Sequence, residues 1–321
     1  MTANLGDFRR LTQMLGRRLY LSADRHEWDR YLDDLSTIVW LGDVAQGRGM
    51  MIQQLVNIAI QSRAQRHVCG DLVAGRLPPD VLDELAAIIA AAPEPVFADV
   101  LPAERILLTA FLDEMHLEIG RPDPEATEGL LGFASFFAEE GEDVMEIEDI
   151  DLDSLPSLSE IEALIDALWP EVERLAMRPL SARWRDREAY EAVGQEWPKT
   201  AGLAAMFIGG LSKADGSVQQ FSLSRDGLLA MLAIERFRRD EDRLPTGLGE
   251  LVPEYLQRVT PDPLGAGEPL VYRTDGSDLG YTLYSVAFDG QDDGGVVGEN
   301  GFRGLHKPVE GIDFVFTRPV D

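Results

Sequence analysis

The sequence predicts a mainly α protein, an N-terminal array of helical hairpins followed by a small α+β C-terminal module with a three-stranded antiparallel sheet. Three observations lead there. Over roughly the first two hundred residues, apolar side chains recur at helical spacing in stretches punctuated by Pro and Gly. After Pro261 and Pro263 the spacing changes to alternation. Between the last two alternating runs lies Asp289-Gly290-Gln291-Asp292-Asp293-Gly294-Gly295, a concentration of turn-forming residues. The division expected from this change is a helical domain over 1–220, with an acidic segment near 138–156, and an α+β module over 221–321.

Taken in order, Phe8, Leu11, Met14, Leu15 and Leu19 mark a first amphipathic helix. Trp28, Leu32, Leu35, Val39 and Trp40 mark a second, and Met51, Leu55, Ile58 and Ala59 a third. Gly47-Arg48-Gly49 separates the second from the third, and Gly75 with Pro78-Pro79 ends the third. The proline pair or Asp80 opens a helix through Leu85, Ile88 and Ile89. Pro102 opens another through Ile106, Leu108, Phe111, Leu112 and Met115, since a first-turn proline lacks only a donor that has no partner there anyway. Further breaks are expected at Pro93 and Pro95, Pro122 and Pro124, Pro156, Pro170 and Pro198. Ser157-Leu158-Ser159-Glu160 has the form of a capping box ahead of Ile161, Leu164, Ile165 and Leu168. Short amphipathic helices on brief loops bury their stripes by pairing antiparallel. No motif recurs at a fixed period of about 30–40 residues, so a tetratricopeptide-type array is not expected.

In the last third, Ser224 and Asp226 are N-cap candidates for a helix whose stripe is Leu228, Leu229, Leu232, Ile234 and Phe237 and whose end is the charged run Arg236 to Arg243. Pro245 then opens a shorter helical stretch with Leu248, Leu251, Val252, Tyr255 and Leu256 on one side. Leu270 and Tyr272 belong to a first strand, Tyr281 to Val286 to a second and Ile312 to Phe316 to a third. Thr274 to Asp278 supplies the first turn.

Composition narrows the function classes. The 321 residues carry a formal net charge of -28, and the pI is near 4.4. Phosphate backbones and anionic membrane surfaces are repelled by such a chain. No Lys or Arg lies between Arg121 and Arg174, a stretch holding Glu139, Glu140, Glu142, Asp143, Glu146, Glu148, Asp149, Asp151 and Asp153. That segment reads as a solvated linker or as a partner-binding or cation-collecting segment. One cysteine, Cys69, excludes an internal disulfide and a cysteine-based zinc site. The run nearest to a membrane span, Val81 to Ala92, contains Asp83 and Glu84 and falls short of the roughly 18 apolar residues required.

The residues Glu250-Leu251-Val252-Pro253-Glu254-Tyr255-Leu256, Asp262-Pro263, Leu270-Val271-Tyr272, Tyr284-Ser285, Asp289-Gly290 and Asp313 resemble, in their order, the globular part of the major pseudopilin of type II secretion systems, the G-type subunit. They resemble still more a large group of uncharacterised bacterial proteins, common in planctomycetes, that carry this module at the C-terminal end of a helical region. The resemblance spans about the last third of the chain. It implies a loop after the second strand that binds calcium and so holds the last strand on the sheet. True pseudopilins begin with a long apolar helix that anchors them and packs the filament core, and nothing of that kind stands here. The resemblance therefore implies a cell-envelope or periplasmic location if an N-terminal anchor precedes Met1, and a cytoplasmic, soluble protein otherwise.

Calcium takes six to eight oxygen ligands on backbone free to wrap it. Asp289, Asp292 and Asp293 can offer carboxylates, Asp313 a fourth from the returning strand, and the glycines let the carbonyls of Leu283 or Phe288 turn inward. The spacing is not that of an EF-hand. Asp-Gly pairs at strand ends also serve simply as turns. The stretch from Gly295 to Gly311 is longer than in the pseudopilins and leaves the choice among Asp289, Asp292 and Asp293 open.

An enzyme has little support in the residues. His26, His67, His116 and His306 fall on separate elements and show no ligand spacing, and His67 stands about 200° around a helix from Cys69. Gly47-Arg48-Gly49 and Gly209-Gly210 lack the lysine and strand of a phosphate loop. The expected function is a non-enzymatic envelope or secretion-associated protein that presents a calcium-stabilised module to protein partners. The alternative is a soluble enzyme or small-molecule binder with its site between helical hairpins.

Overall fold

The computed structural model describes residues 5–46, 49–115, 157–178, 202–259, 261–265, 267–287, 290–297 and 311–317. The acidic segment near 138–156 lies outside them. The described residues form seven α-helices and one small sheet, as the apolar periodicities predict. The helices are α1 (Leu5–Asp24), α2 (Trp28–Gln46), α3 (Met51–Val73), α4 (Leu82–Ala91), α5 (Leu101–Met115), α6 (Leu158–Ala176) and α7 (Gly202–Glu241). Among the described residues no helix is long and apolar enough to cross a membrane.

Connections as short as Arg25 to Glu27 fold neighbouring helices back onto one another. Leu15 and Leu19 of α1 meet Tyr31, Leu32, Leu35 and Ile38 of α2, all buried, whereas Met14 and Trp40 from the predicted stripes are 63% and 60% exposed. The face of α3 turned inward is only partly apolar. Gln54, Asn57, Gln61 and Gln65 are buried along it beside Ile58, Ala64 and Val68. Part of their hydrogen-bonding capacity is met from neighbouring elements: Asn57 Nδ2 donates to Gln46 Oε1 at 2.9 Å and Gln54 Nε2 to the Val96 carbonyl at 3.0 Å. The Tyr31 hydroxyl donates to Asp71 at 2.9 Å, tying α2 to α3. An unpaired buried amide group costs a kcal/mol or more, roughly, and the stripe carries that cost at Gln61 Oε1 and Gln65 Oε1, which have no partner.

Three elements depart from expectation. Ser224 and Asp226 do not start a helix; α7 begins at Gly202 and runs straight through them, so the position 220/221 falls inside one helix. Leu211, Ala214, Val218 and Phe221 continue the stripe of Leu228 and Leu232 upstream and are all buried, and this packing outweighs the Gly and N-cap signals. Pro170 does not break its helix either: α6 continues past it to Ala176. The Pro245 stretch is one 3-10 turn, Leu248–Leu251, rather than a helix to Leu256. The capping residues at Ser157 behave as read, with the Glu160 carboxylate accepting the Ser157 backbone N–H at 2.9 Å.

The sheet has the order β1 (Val271–Thr274), β2 (Tyr281–Ser285), β3 (Phe314–Val315), antiparallel throughout. Val271 pairs with Tyr284 and Thr274 with Tyr281; Tyr284 then pairs with Val315 and Ser285 with Phe314. Tyr281 and Leu283 join the helical core with Met231, Ile234 and Phe237 of α7, so helices and sheet share one apolar cluster. Phe316, just past β3, is the side chain that docks the last strand. Its N–H donates to the Leu283 carbonyl at 3.0 Å. A β-carbon on Gly227 would stand 2.1 Å from its ring, so α7 needs glycine at this point.

Candidate functional site

Alternation along β2 puts Tyr284 on the face away from α7, and the Asp/Gly-rich loop folds over that face. A β-carbon on Gly295 would already touch Tyr284 Cδ1 and Thr282 Cγ2, each at 3.6 Å. Gly294 and Gly295 have φ of +81° and +78°, a left-handed turn open to glycine. Tyr284 is thereby fully buried between sheet and loop.

Asp292 holds the loop's outer side. Its Oδ1 accepts the Tyr284 hydroxyl at 2.7 Å and the Gly294 N–H at 3.0 Å, and its Oδ2 meets Arg273 Nη2 at 2.6 Å. The guanidinium of Arg273 lies over the Tyr284 ring, 5.3 Å from its centroid. The Tyr284 hydroxyl and then, against some desolvation, the Gly294 amide and Arg273 hold the Asp292 carboxyl below its ordinary range.

Asp313 holds the inner side and is fully buried. Its Oδ2 accepts the Gly295 N–H at 2.7 Å and its Oδ1 the Asp293 N–H at 3.4 Å, while its own N–H donates to the Val296 carbonyl at 2.7 Å. Burial raises its pKa, the amides of Gly295 and Asp293 oppose that, and the charge on Asp293 adds to the rise. Asp293 Oδ2 is buried and has no hydrogen-bond partner. Of the four aspartates singled out in the sequence, Asp293 and Asp313 thus adjoin, Asp292 turns toward Arg273 and Tyr284, and Asp289 lies outside the described residues. Among the described residues no three His, Cys, Asp or Glu side chains gather as a metal centre.

A second buried aspartate, Asp262, belongs in the sequence to the Asp262-Pro263 motif of the pseudopilin resemblance and was not among the candidate ligands. Asp262, 1% exposed, accepts the Leu264 N–H and the Ser285 hydroxyl on Oδ1, both at 2.9 Å, and the Val286 N–H on Oδ2 at 3.1 Å. The bond to Leu264 is the aspartate turn that Asp-Pro-Leu-Gly favours, and that was the available signal. Burial raises its pKa and the four donors around it oppose the rise.

Cys69 and His67 are packed side chains. Burial pushes the Cys69 thiol up to about 11, and its Sγ sits 3.6 Å from the Phe316 carbonyl, so at neutral pH it is a packed thiol and not a nucleophile. His67, its pKa lowered first by burial and then by Arg63 and Arg66, packs against Gly16. His116 and His306 lie outside the described residues. Comparison with protein-family models, with curated proteins and with solved structures finds no match for this chain.

Proposed function

We propose that this chain is a non-enzymatic protein of the cell envelope or of a secretion apparatus that presents its C-terminal module to protein partners, and that calcium stabilises that module. The observation that carries the metal is the Asp293–Asp313 pair: a buried carboxylate oxygen without a donor stands beside a fully buried second carboxylate. A half-buried and a fully buried anion side by side repel each other, and a divalent cation turns that repulsion into attraction. Asp293 Oδ2 and Asp313 would hold the ion, with carbonyls of the glycine-rich turn completing the oxygen set. Asp292 is committed to Arg273 and Tyr284 and has no part in it. The order of motifs shared with the major pseudopilin supports the partner-binding half of this reading.

The enzyme alternative asks for a pocket in which titratable groups bond to one another. At one end of the groove between α4 and α7, Asp83 pairs with Arg236 and Arg239, each at 2.6 Å, an ion-pair network that joins the two helices; at the other end Asp226 meets Arg225 only at 3.5 Å.

The test is thermal unfolding of the whole chain in calcium chloride and in chelator. A ligand at 100 times its Kd adds about 2.7 kcal/mol to stability. The melting temperature should rise with calcium and fall with chelator, and the Asp293→Asn chain should show neither. Identical melting of the parent chain in both solutions would remove calcium from the proposal.

A further inference from the structure

A groove of about 860 Å³ lies between α4, the middle of α7 and the connection from Tyr255 to Pro263. One end is closed by the saturated pairing of Asp83 with Arg236 and Arg239. The other end holds Arg225, Asp226 and Glu94 in a different condition. Arg225 Nη2 donates to the Ala90 carbonyl at 3.0 Å, but its Nη1 is 3.5 Å from Asp226 and 3.8 Å from Glu94, and its buried Nε has no partner. The side chain of Asp226 is only 14% exposed, and the long contact to Arg225 is its ion pair in this structure. Burial raises Asp226 to about 6; Arg225 opposes the rise, Glu94 adds to it and Arg258, also on the groove wall, opposes it. A carboxylate kept from water without a donor is poorly satisfied unless something brings one.

We propose that the groove binds an extended segment of a partner protein through a lysine or arginine side chain, the cationic head between Asp226 and Glu94 and the aliphatic stem along Ala87, Ala90 and Leu229. Charge complementarity selects the head: Asp226 and Glu94 meet Arg225 only at 3.5 and 3.8 Å, so these two carboxylates keep acceptor capacity for a second cation. The wall suits the stem, because small residues on α4 leave a trough that a methylene chain fills while its charge stays at the rim. The volume selects a polypeptide over a free amine, since a single stem occupies a minor part of a cavity in the range, roughly 300–1,000 Å³, that holds ligands of several residues' bulk. This deepens the partner-binding half of the function above and does not involve the aspartate loop.

The experiment screens the full chain against arrayed acetylated and amidated hexapeptides and measures the hits by fluorescence anisotropy. Hits should share Lys or Arg at one position. Replacing that residue by norleucine or citrulline should weaken binding about tenfold or more, the loss expected for a charge-assisted hydrogen bond. Asp226→Asn with Glu94→Gln should lose the same factor. Asp24→Asn with Asp43→Asn, two exposed sites elsewhere carrying the same charge change, should bind as the parent does. Selection without a basic residue, equal loss in both double variants, or binding of 1,5-diaminopentane as tight as the peptides would overturn the proposal. Melting in calcium and chelator, run on the same variants, separates a failure here from a failure of the metal reading.

Discussion

Replacing Gly227 with alanine adds one carbon where the last strand docks on α7. The new carbon would stand 2.1, 2.3 and 2.5 Å from Phe316 Cε1, Cζ and Cδ1. Carbon atoms rest at about 3.5–4.0 Å, so the ring must move by roughly 1.5 Å. It has little room, with the Phe314 ring 4.8 Å from its centroid and Cys69 against its carbonyl. Two effects compete. Alanine favours the helix over glycine by about 1 kcal/mol. Displacing a buried phenylalanine costs about 3–5 kcal/mol, the price of deleting it, if the ring leaves its site altogether. The net expectation is a loss of about 2–4 kcal/mol, measured by urea unfolding. The sole cysteine supplies a local readout, because a displaced Phe316 uncovers Cys69 and alkylation at pH 8 should accelerate. In a Phe316→Ala background the clash is gone, and the same substitution should stabilise by about 1 kcal/mol. An alanine variant as stable as the parent, with unchanged thiol labelling, would refute the docking argument.

Asp226 gives a pH-dependent prediction. Its folded pKa of about 6 lies above the ordinary 3.8, so its contribution to stability is fully present below about 3.8 and is lost as pH rises through 6. Asp226→Asn should therefore match the parent near pH 4 and exceed it at pH 7.5, by up to about 3 kcal/mol for a two-unit shift, as read from urea unfolding at both pH values. In chelator, Asp293→Asn and Asp313→Asn should act in opposite directions. The first removes a charge with an unpartnered oxygen and should melt at or above the parent; the second halves the acceptors offered to Gly295 and Asp293 and should melt below it.

The legible part of this fold was the part in which side-chain pattern and local geometry agree. Leu15 and Leu19, Leu32 and Leu35, and the shift to alternation around Tyr281 all mark positions where the apolar residue is the buried one. The upstream half of α7 was hidden because Ser224, Asp226 and the glycines are end signals, and only the burial of Leu211, Val218 and Phe221 overrides them. The inner face of α3 was hidden because buried amides leave no trace in an apolar period, and a partner such as the carbonyl that Gln54 bonds lies 42 residues away. The Asp/Gly composition singled out the loop that covers Tyr284, and Asp313 from the returning strand accepts the N–H groups of Asp293 and Gly295 in it. The partners of Asp292 could not be read, since Arg273 reaches it from the other strand, 19 residues earlier.

Asp262 and Asp313 do the same work on two sides of one loop, and that arrangement decides what an ion can add. Asp262 receives the Ser285 hydroxyl and the Val286 N–H where β2 ends, and Asp313 receives the N–H groups of Asp293 and Gly295 where the loop turns back. Carboxylates accept such bonds about twice as strongly as neutral groups do, and both are buried, so each clamp is costly to break. The loop's path is thus set by protein groups before any cation arrives. What they leave unresolved is electrostatic: Asp313 is drawn in by its amides and at the same time placed next to Asp293, whose Oδ2 faces no donor. A cation between them would relieve a repulsion built into a finished structure and need not order a random loop. Its effect belongs on the unfolding rate and the melting temperature of the module, with the sheet register of Tyr284 against Val315 the same in its presence and absence.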